Sequence, residues 1–169
     1  MFPSLDIMYD SNVFVNDVHK VTKALQYSFN IEINNVEEYN ISKSAYNPSR
    51  NQYDGQKLLN MLIDEKKLKF FFWMVQDDLY VPVMNFVFGL GSRYYGAIIS
   101  FYRLDSIEMR IKESIHECGH IFGLEHCSNF CVMQYSNSLS EALQKPSTLC
   151  NTCQLKLKNN IKNFERNKD

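Results

Sequence analysis

Three of the four histidines in this 169-residue chain fall within the segment IHECGHIFGLEHC, residues 115–127. On a helix, His116 and His120 lie one turn apart, so both imidazoles point to the same side. Gly123 can adopt a positive φ at low steric cost, which lets the chain turn sharply and return His126 as a third ligand. Three converging histidines suit a zinc ion whose fourth position stays open, as in a catalytic zinc site.

Glu117 stands next to the first histidine, where it can reach a metal-bound water without being a ligand itself. We expect hydrolysis of a peptide bond, in which zinc lowers the pKa of its water and Glu117 accepts the proton as general base. The hydroxide attacks the carbonyl, and Glu117 then delivers the proton to the leaving amine. The sequence therefore predicts a zinc metallopeptidase that acts on a peptide or protein substrate.

Four of the five cysteines form a C-x₃-C pair and, eighteen residues later, a C-x₂-C pair; they are Cys127, Cys131, Cys150 and Cys153. Two close pairs separated by a loop are typical of a tetrahedral Cys₄ zinc site that stabilises the fold. A redox-active C-x-x-C pair is the alternative. Cys118 is left over and is expected to pack as a small buried residue. The two clusters together predict two zinc ions, one catalytic and one structural.

Apolar residues at helical spacing predict a first helix along Val18, Val21, Leu25 and Phe29, with its N-cap among Asp10, Ser11 and Asn12. A strand is expected at residues 5–9 and another in IEINNV (31–36). Leu58, Leu59, Leu62 and Ile63 indicate a second helix. Three apolar runs predict strands: LKFFFWMV (68–75), NFVFGL (85–90) and YYGAIISFY (94–102). A helix should begin at Ser106, and a last one near Pro146–Ser147.

Composition narrows the class of protein further. The net charge of -1 gives no basic face for nucleic acid. No segment has the roughly 18 consecutive apolar residues of a membrane span, and the N-terminal residues lack the pattern of a signal peptide. These features predict a cytoplasmic protein whose cysteines are reduced. Its expected state is monomeric, with neither nucleic acid nor membrane as a partner.

The histidine motif followed by Cys127, then Cys131-Val-Met133, then Cys150-x-x-Cys153, resembles the archaemetzincin family. Residues 78–104, DLYVPVMNFVFGLGSRYYGAIISFYRL, are similar to the segment that this family carries ahead of its active-site helix. The resemblance implies one compact metzincin-like α+β (α/β-type) domain over residues 1–169, with a mixed, twisted sheet, an active-site helix and a C-terminal helix.

By the same resemblance, the three histidines match the family's catalytic zinc ligands, Glu117 its general base and the four cysteines its second zinc site. Met133 matches the methionine of the Met-turn, a tight turn beneath the zinc ligands. Tyr135 either places its hydroxyl near the metal or is an aromatic side chain without a chemical role. The chain has three residues between Cys127 and Cys131, one fewer than the family pattern. A shorter loop can distort the Cys₄ site.

Two alternatives to the enzyme stay open at this point. A zinc-stabilised module could hold a peptide in the cleft with little or no proteolysis. A structural zinc protein could have its fourth metal position blocked by Tyr135 or by the N-terminus. Glu117 favours the enzyme, because a structural three-histidine site has no use for a carboxylate beside an open position.

Overall fold

The computed structural model describes residues 4–66 and 70–166, and strands and helices alternate in the first part of the chain. The helices are α1 (Val15–Phe29), α2 (Gly55–Lys66), α3 (Ile107–Ile121), α4 (Leu139–Gln144) and α5 (Asn151–Arg166). The strands are β1 (Leu5–Tyr9), β2 (Ile33–Glu38), β3 (Tyr46–Asn47), β4 (Gln52–Asp54), β5 (Phe71–Val75), β6 (Leu79–Val81), β7 (Met84–Val87), β8 (Gly89–Ser92) and β9 (Gly96–Ser100). A 3₁₀ turn, Lys43–Ala45, precedes β3.

The larger sheet has the order β2-β1-β5-β9-β8. Its first four strands run parallel, and β8 pairs antiparallel with β9 at the edge. A smaller mixed sheet has the order β3-β4-β6-β7. The expected α+β class with a mixed sheet, an active-site helix and a C-terminal helix is therefore confirmed.

The larger sheet is covered on both faces, which explains its uninterrupted apolar runs. Phe72 and Met74 of β5 face a large core with α1, α3 and α5, whereas Trp73 and Val75 face a smaller core with α2. Strand β5 is buried along its whole length. The sheet consequently gives α3 a rigid support. An ion pair between Arg110 of α3 and Asp17 of α1 also connects these two helices.

Some predicted boundaries were wrong for physical reasons. Helix α1 begins at Val15 with Phe14 as N-cap. Asp10 instead accepts hydrogen bonds from the backbone N–H groups of Asn12 and Ile41, so it joins two loops. Three further strands (β3, β4 and β6) and the short helix α4 were not predicted.

The predicted strand at residues 85–90 is two strands, because the chain crosses from one sheet to the other at Phe88. Helix α5 begins at Asn151, later than Pro146–Ser147. The segment before Asn151 forms a hydrogen bond with a distant part of the chain instead, because the Thr148 carbonyl accepts from the Val132 N–H. Within residues 4–66 and 70–166, no helix has the length and apolarity needed to cross a membrane.

Candidate active site

Helix α3 begins and ends as the sequence predicts. The Ser106 hydroxyl accepts a hydrogen bond from the Met109 N–H at 3.2 Å and caps the N-terminus. Gly123 follows the last turn with φ 78°, the left-handed conformation expected for it. The Asn160 amide of α5 donates to the carbonyls of Phe122 and Gly123 at 3.0 and 3.1 Å. The turn that returns His126 toward the helix is thus held by α5.

The turn brings His116, His120 and His126 together, with ligand atoms within 4.8 Å of one another. The Nδ1 atoms of His116 and His120 face the carbonyls of Val132 and Leu124 at 2.9 and 2.8 Å. Each Nδ1 therefore carries the proton, and each Nε2 is left free for a metal.

The distances fit zinc. The two Nε2 atoms of His116 and His120 are 3.2 Å apart. Zn–N bonds of about 2.0–2.1 Å in a tetrahedron place ligand nitrogens about 3.3 Å apart. Burial lowers the pKa of all three imidazoles, most strongly that of His116. Neutral imidazoles are the form that binds a metal.

Glu117 is 6% exposed and lies beside the histidines in the cleft. Burial, and secondly the Glu113 carboxylate, raises the pKa of Glu117 to about 8. A carboxylate held in a dry site against a second carboxylate takes up a proton readily. The arrangement can accept a proton and release it again near neutral pH.

Strand β8 lies unusually close to α3, and two glycines allow this approach. A Cβ atom at Gly89 would lie 2.6 Å from Glu117 Cγ and 2.7 Å from the Ile98 carbonyl oxygen. A Cβ atom at Gly91 would lie 2.5 Å from His120 Cβ. The edge strand thus rests directly on the general-base candidate and on one ligand candidate. Sequence reasoning missed this role of the two glycines, although their alternate spacing in one strand was a usable signal.

Met133 packs against Gly119 of α3, which lies between His116 and His120 in the sequence. Its side chain is fully buried, and Sδ is 2.5 Å from where a Cβ atom on Gly119 would sit. The turn is closed by the Gln134 N–H, which donates to the Cys131 carbonyl at 3.0 Å. The ring of Tyr135 is 4.9 Å from that of His126, centroid to centroid, and is half-exposed.

The cysteines also converge, with the sulfurs of Cys127, Cys131, Cys150 and Cys153 within 4.8 Å of one another. Cys127 Sγ and Cys150 Sγ are 3.8 Å apart, close to the edge of a tetrahedron with Zn–S bonds of about 2.3 Å. The shorter C-x₃-C loop still closes the cluster. Leftover Cys118 is fully buried, as expected.

Backbone and amide N–H groups point at these sulfurs, as they do in thiolate metal sites. The Cys150 N–H donates to Cys131 Sγ at 3.3 Å, and the Asn129 amide donates to Cys150 Sγ at 3.6 Å. The Cys153 N–H, at the start of α5, is the main cause that lowers the pKa of Cys150 to about 6. Burial raises the pKa of Cys131 and of Cys153, so the fit to a metal bound as thiolates rests on the converging sulfurs and the N–H groups directed at them.

A cleft of about 620 Å³ opens over the three histidines and Glu117. Its other walls come from β7 and β8, from residues 135–137, and from Glu113 and Lys145. Sequence reasoning missed the last two. Glu113 stands one helical turn before Glu117, a spacing that could have indicated it, whereas nothing local signals Lys145. An open cleft does not fit a metal position blocked from substrate.

Comparisons with known proteins agree with this geometry. Residues 6–159 match the model of peptidase family M54. The archaemetzincin of Nanoarchaeum equitans is 41% identical over 140 residues, which cover 83% of this chain and 82% of that protein.

Two solved structures share the fold. The archaemetzincin of Archaeoglobus fulgidus, complexed with malonate, superposes with a TM-score of 0.81 at 34% identity over 89% of this chain and 98% of that one. A zinc-dependent peptidase of Methanocorpusculum labreanum gives a TM-score of 0.81 at 26% identity, over 91% and 100% of the two chains. The protein is a zinc metallopeptidase, and the chain belongs to peptidase family M54, the archaemetzincin family.

Proposed function

We propose that the protein hydrolyses peptide bonds in peptides or proteins, with one zinc ion held by His116, His120 and His126 and with Glu117 as general base. One observation carries the proposal: the histidine ligand atoms converge in an open cleft beside a buried carboxylate. Zinc held there supplies an acidified water and polarises the carbonyl under attack.

Glu117 performs the proton transfers. It takes a proton from the attacking water and passes it to the leaving nitrogen. Its high pKa in the protein alone makes the acid form accessible, and a cation beside it brings that pKa down toward neutral. The carboxylate therefore alternates between base and acid within one turnover.

The substrate is proposed to bind in extended form along the segment NFVFGL, which contributes the end of β7 and the start of β8. In the described residues, β7 and β8 each form one edge of their sheet, and both line the cleft. A peptide can add to such an edge through its main-chain groups. Because β8 also rests on α3, the peptide carbonyl would be brought close to Glu117.

The second part of the proposal is a structural zinc ion on Cys127, Cys131, Cys150 and Cys153. The converging sulfurs and the N–H groups directed at them support it. Such a site needs reduced thiols, so we propose a cytoplasmic protein. We also propose a monomer formed by one domain over residues 1–169.

Metal content per chain and cleavage of a diverse peptide library, measured together, test the proposal. We expect two zinc ions in both the wild type and Glu117→Gln, and cleavage by the wild type only. Exposed Glu125→Gln removes a carboxylate near the same helix end and serves as the matched control, with activity retained. Cleavage by a metal-replete Glu117→Gln protein would contradict the general-base role. Two zinc ions in the wild type without any cleavage would favour the peptide-binding alternative.

A further inference from the structure

A buried ion pair forms part of the cleft wall next to the histidines. Lys145, at the end of α4, is 3% exposed, and Glu113 of α3 is 2% exposed. Lys145 Nζ lies 3.0 Å from Glu113 Oε1 and 3.2 Å from Oε2. Both residues line the same cleft as Glu117. The cleft wall beside Glu117 therefore carries one positively charged side chain, Lys145, and one negatively charged side chain, Glu113.

Stability alone is a weak reason for such a pair. Removing two charges from water costs free energy that their attraction often fails to recover, and apolar replacements of similar volume are often neutral or stabilising. An apolar floor would also suit a cleft whose lining includes Val81, Phe86 and Val87. The position of the pair in a substrate cleft therefore points to recognition.

The hydrogen bonds show what the pair can still accept. The Lys145 ammonium donates to Glu113 Oε2 and, at 3.3 Å, to the Gln134 carbonyl. Nδ1 of His116 is also 3.3 Å away, but its proton is directed at the Val132 carbonyl. Within the described residues, buried Glu113 Oε1 has no hydrogen-bond donor, and its 3.0 Å contact with the Lys145 ammonium is an ion pair. The pair thus has acceptor capacity left for a donor from the substrate.

Charge decides which donor fits. An acidic substrate side chain would face the carboxylates of Glu113 and Glu117, and a basic one would compete with the Lys145 ammonium, which already neutralises Glu113. An apolar side chain would leave Glu113 Oε1, which is already buried, without a hydrogen-bond donor. An uncharged amide or hydroxyl donor avoids all three penalties.

We propose that the Glu113–Lys145 pair determines specificity and selects Gln, Asn, Ser or Thr at one of the two substrate positions flanking the scissile bond. The inference rests on the proposed peptidase function and names its substrate class. Glu113 accepts the substrate's hydrogen bond, and Lys145 holds that carboxylate in place.

The first test profiles the wild-type zinc enzyme with peptides in which each flanking position is varied separately among Gln, Ser, Leu, Phe, Glu and Lys. We expect kcat/KM at one position to be at least about tenfold higher for Gln or Ser than for Leu or Phe, the scale of a hydrogen bond to a charged group. An apolar or charged preference at both positions overturns the inference without any variant.

The second test uses the double variant Glu113→Leu with Lys145→Met, which replaces the pair by apolar side chains of similar size. We expect the preference to move to Leu or Phe, and an unchanged preference in the folded double variant overturns the inference. Lys112→Met is the matched control. Lys112 donates to the carbonyls of Ala142 and Leu143, and it is not among the residues that line the cleft. Its loss should leave the selectivity as in the wild type.

A binding readout separates this inference from the peptidase function itself. The same peptides are titrated against zinc-loaded Glu117→Gln, and dissociation constants are measured by competition with a fluorescent peptide. Tighter binding of the Gln and Ser peptides upholds the inference even if the wild type cleaves nothing, a result that would refute only the function. Equal binding of Gln and Leu peptides overturns the inference even if cleavage is observed.

Discussion

Replacing Glu117 by glutamine should change how the stability of the metal-free protein depends on pH. Glu117 is 6% exposed, and its pKa rises from 4.5 to about 8 on folding, mainly through burial. Between these two pH values the folded protein keeps a proton that the unfolded chain has released. The contribution of Glu117 to stability must therefore fall as the pH rises from 4.5 to about 8, and it should level off above that range.

The magnitude follows from the pKa. A carboxyl group with a pKa of about 8 when folded and 4.5 when unfolded loses about 5 kcal/mol over this range, at about 1.4 kcal/mol per pH unit. Glutamine has nearly the same shape and no charge, so Glu117→Gln should not show this loss. The variant is expected to gain about 5 kcal/mol relative to the wild type between pH 4 and pH 8.5. Groups that do not interact with Glu117 titrate alike in both proteins, so their effects cancel in the difference, whereas Glu113 and Lys145 are coupled to Glu117.

Urea denaturation measures this difference. Trp73 is the only tryptophan and is 1% exposed, so its fluorescence reports unfolding. Both proteins are treated with a chelator that empties the open histidine site, under reducing conditions, and then unfolded at half-unit pH steps. The matched control is exposed Glu125→Gln. Loading zinc should flatten the wild-type curve, because a cation beside Glu117 favours its charged form.

A stability difference that stays constant within about 1 kcal/mol from pH 4 to pH 8.5 would refute the reasoning. It would mean that water reaches the carboxylate in the folded protein. Glu117 would then lack the raised pKa that burial gives it in the metal-free protein.

Three other changes give separate outcomes. Gly91→Ala places a Cβ atom 2.5 Å from His120 Cβ, so it should lower the zinc affinity at least about tenfold. The affinity is measured by competition with a chromophoric chelator, and an unchanged affinity would contradict the close packing. Met133→Ala removes a fully buried side chain and should cost about 2–5 kcal/mol of unfolding free energy by urea titration; less than about 1 kcal/mol would show that Met133 does not support the site. Cys150→Ser should lower bound zinc to one per chain and reduce the melting temperature; two zincs in the variant would remove the Cys₄ proposal.

Local patterns in the sequence were enough to find the converging groups. His116 and His120 share a helix face whatever the rest of the chain does, and Gly123 ends that helix because its φ of 78° suits glycine. The buried run Phe71–Val75 is apolar on both faces because helices cover both sides of the sheet. These features depend on short-range geometry and composition, which one sequence contains.

The remaining features depend on pairing between distant segments. Glu113 and Lys145 meet only after the chain has folded, and no spacing predicts it. The run NFVFGL has strand composition throughout, yet its two halves pair with different strands, β6 and β9. Composition predicts that a segment is extended, but its partners decide the sheet to which it belongs. The wall of the cleft was therefore less predictable than its metal ligands.

The two proposed metal sites are coupled through one short segment. His126, the exposed one of the three histidines, lies outside α3 and is followed directly by Cys127. The Cys127 N–H donates to the Met133 carbonyl at 2.9 Å, so the cysteine cluster and the Met-turn together fix the backbone next to His126. A ligand on a loop costs more entropy to order than one on a helix, unless that loop is already restrained. Loss of the Cys₄ metal in Cys150→Ser should therefore also weaken zinc binding by the histidines, although Cys150 is not one of their ligands.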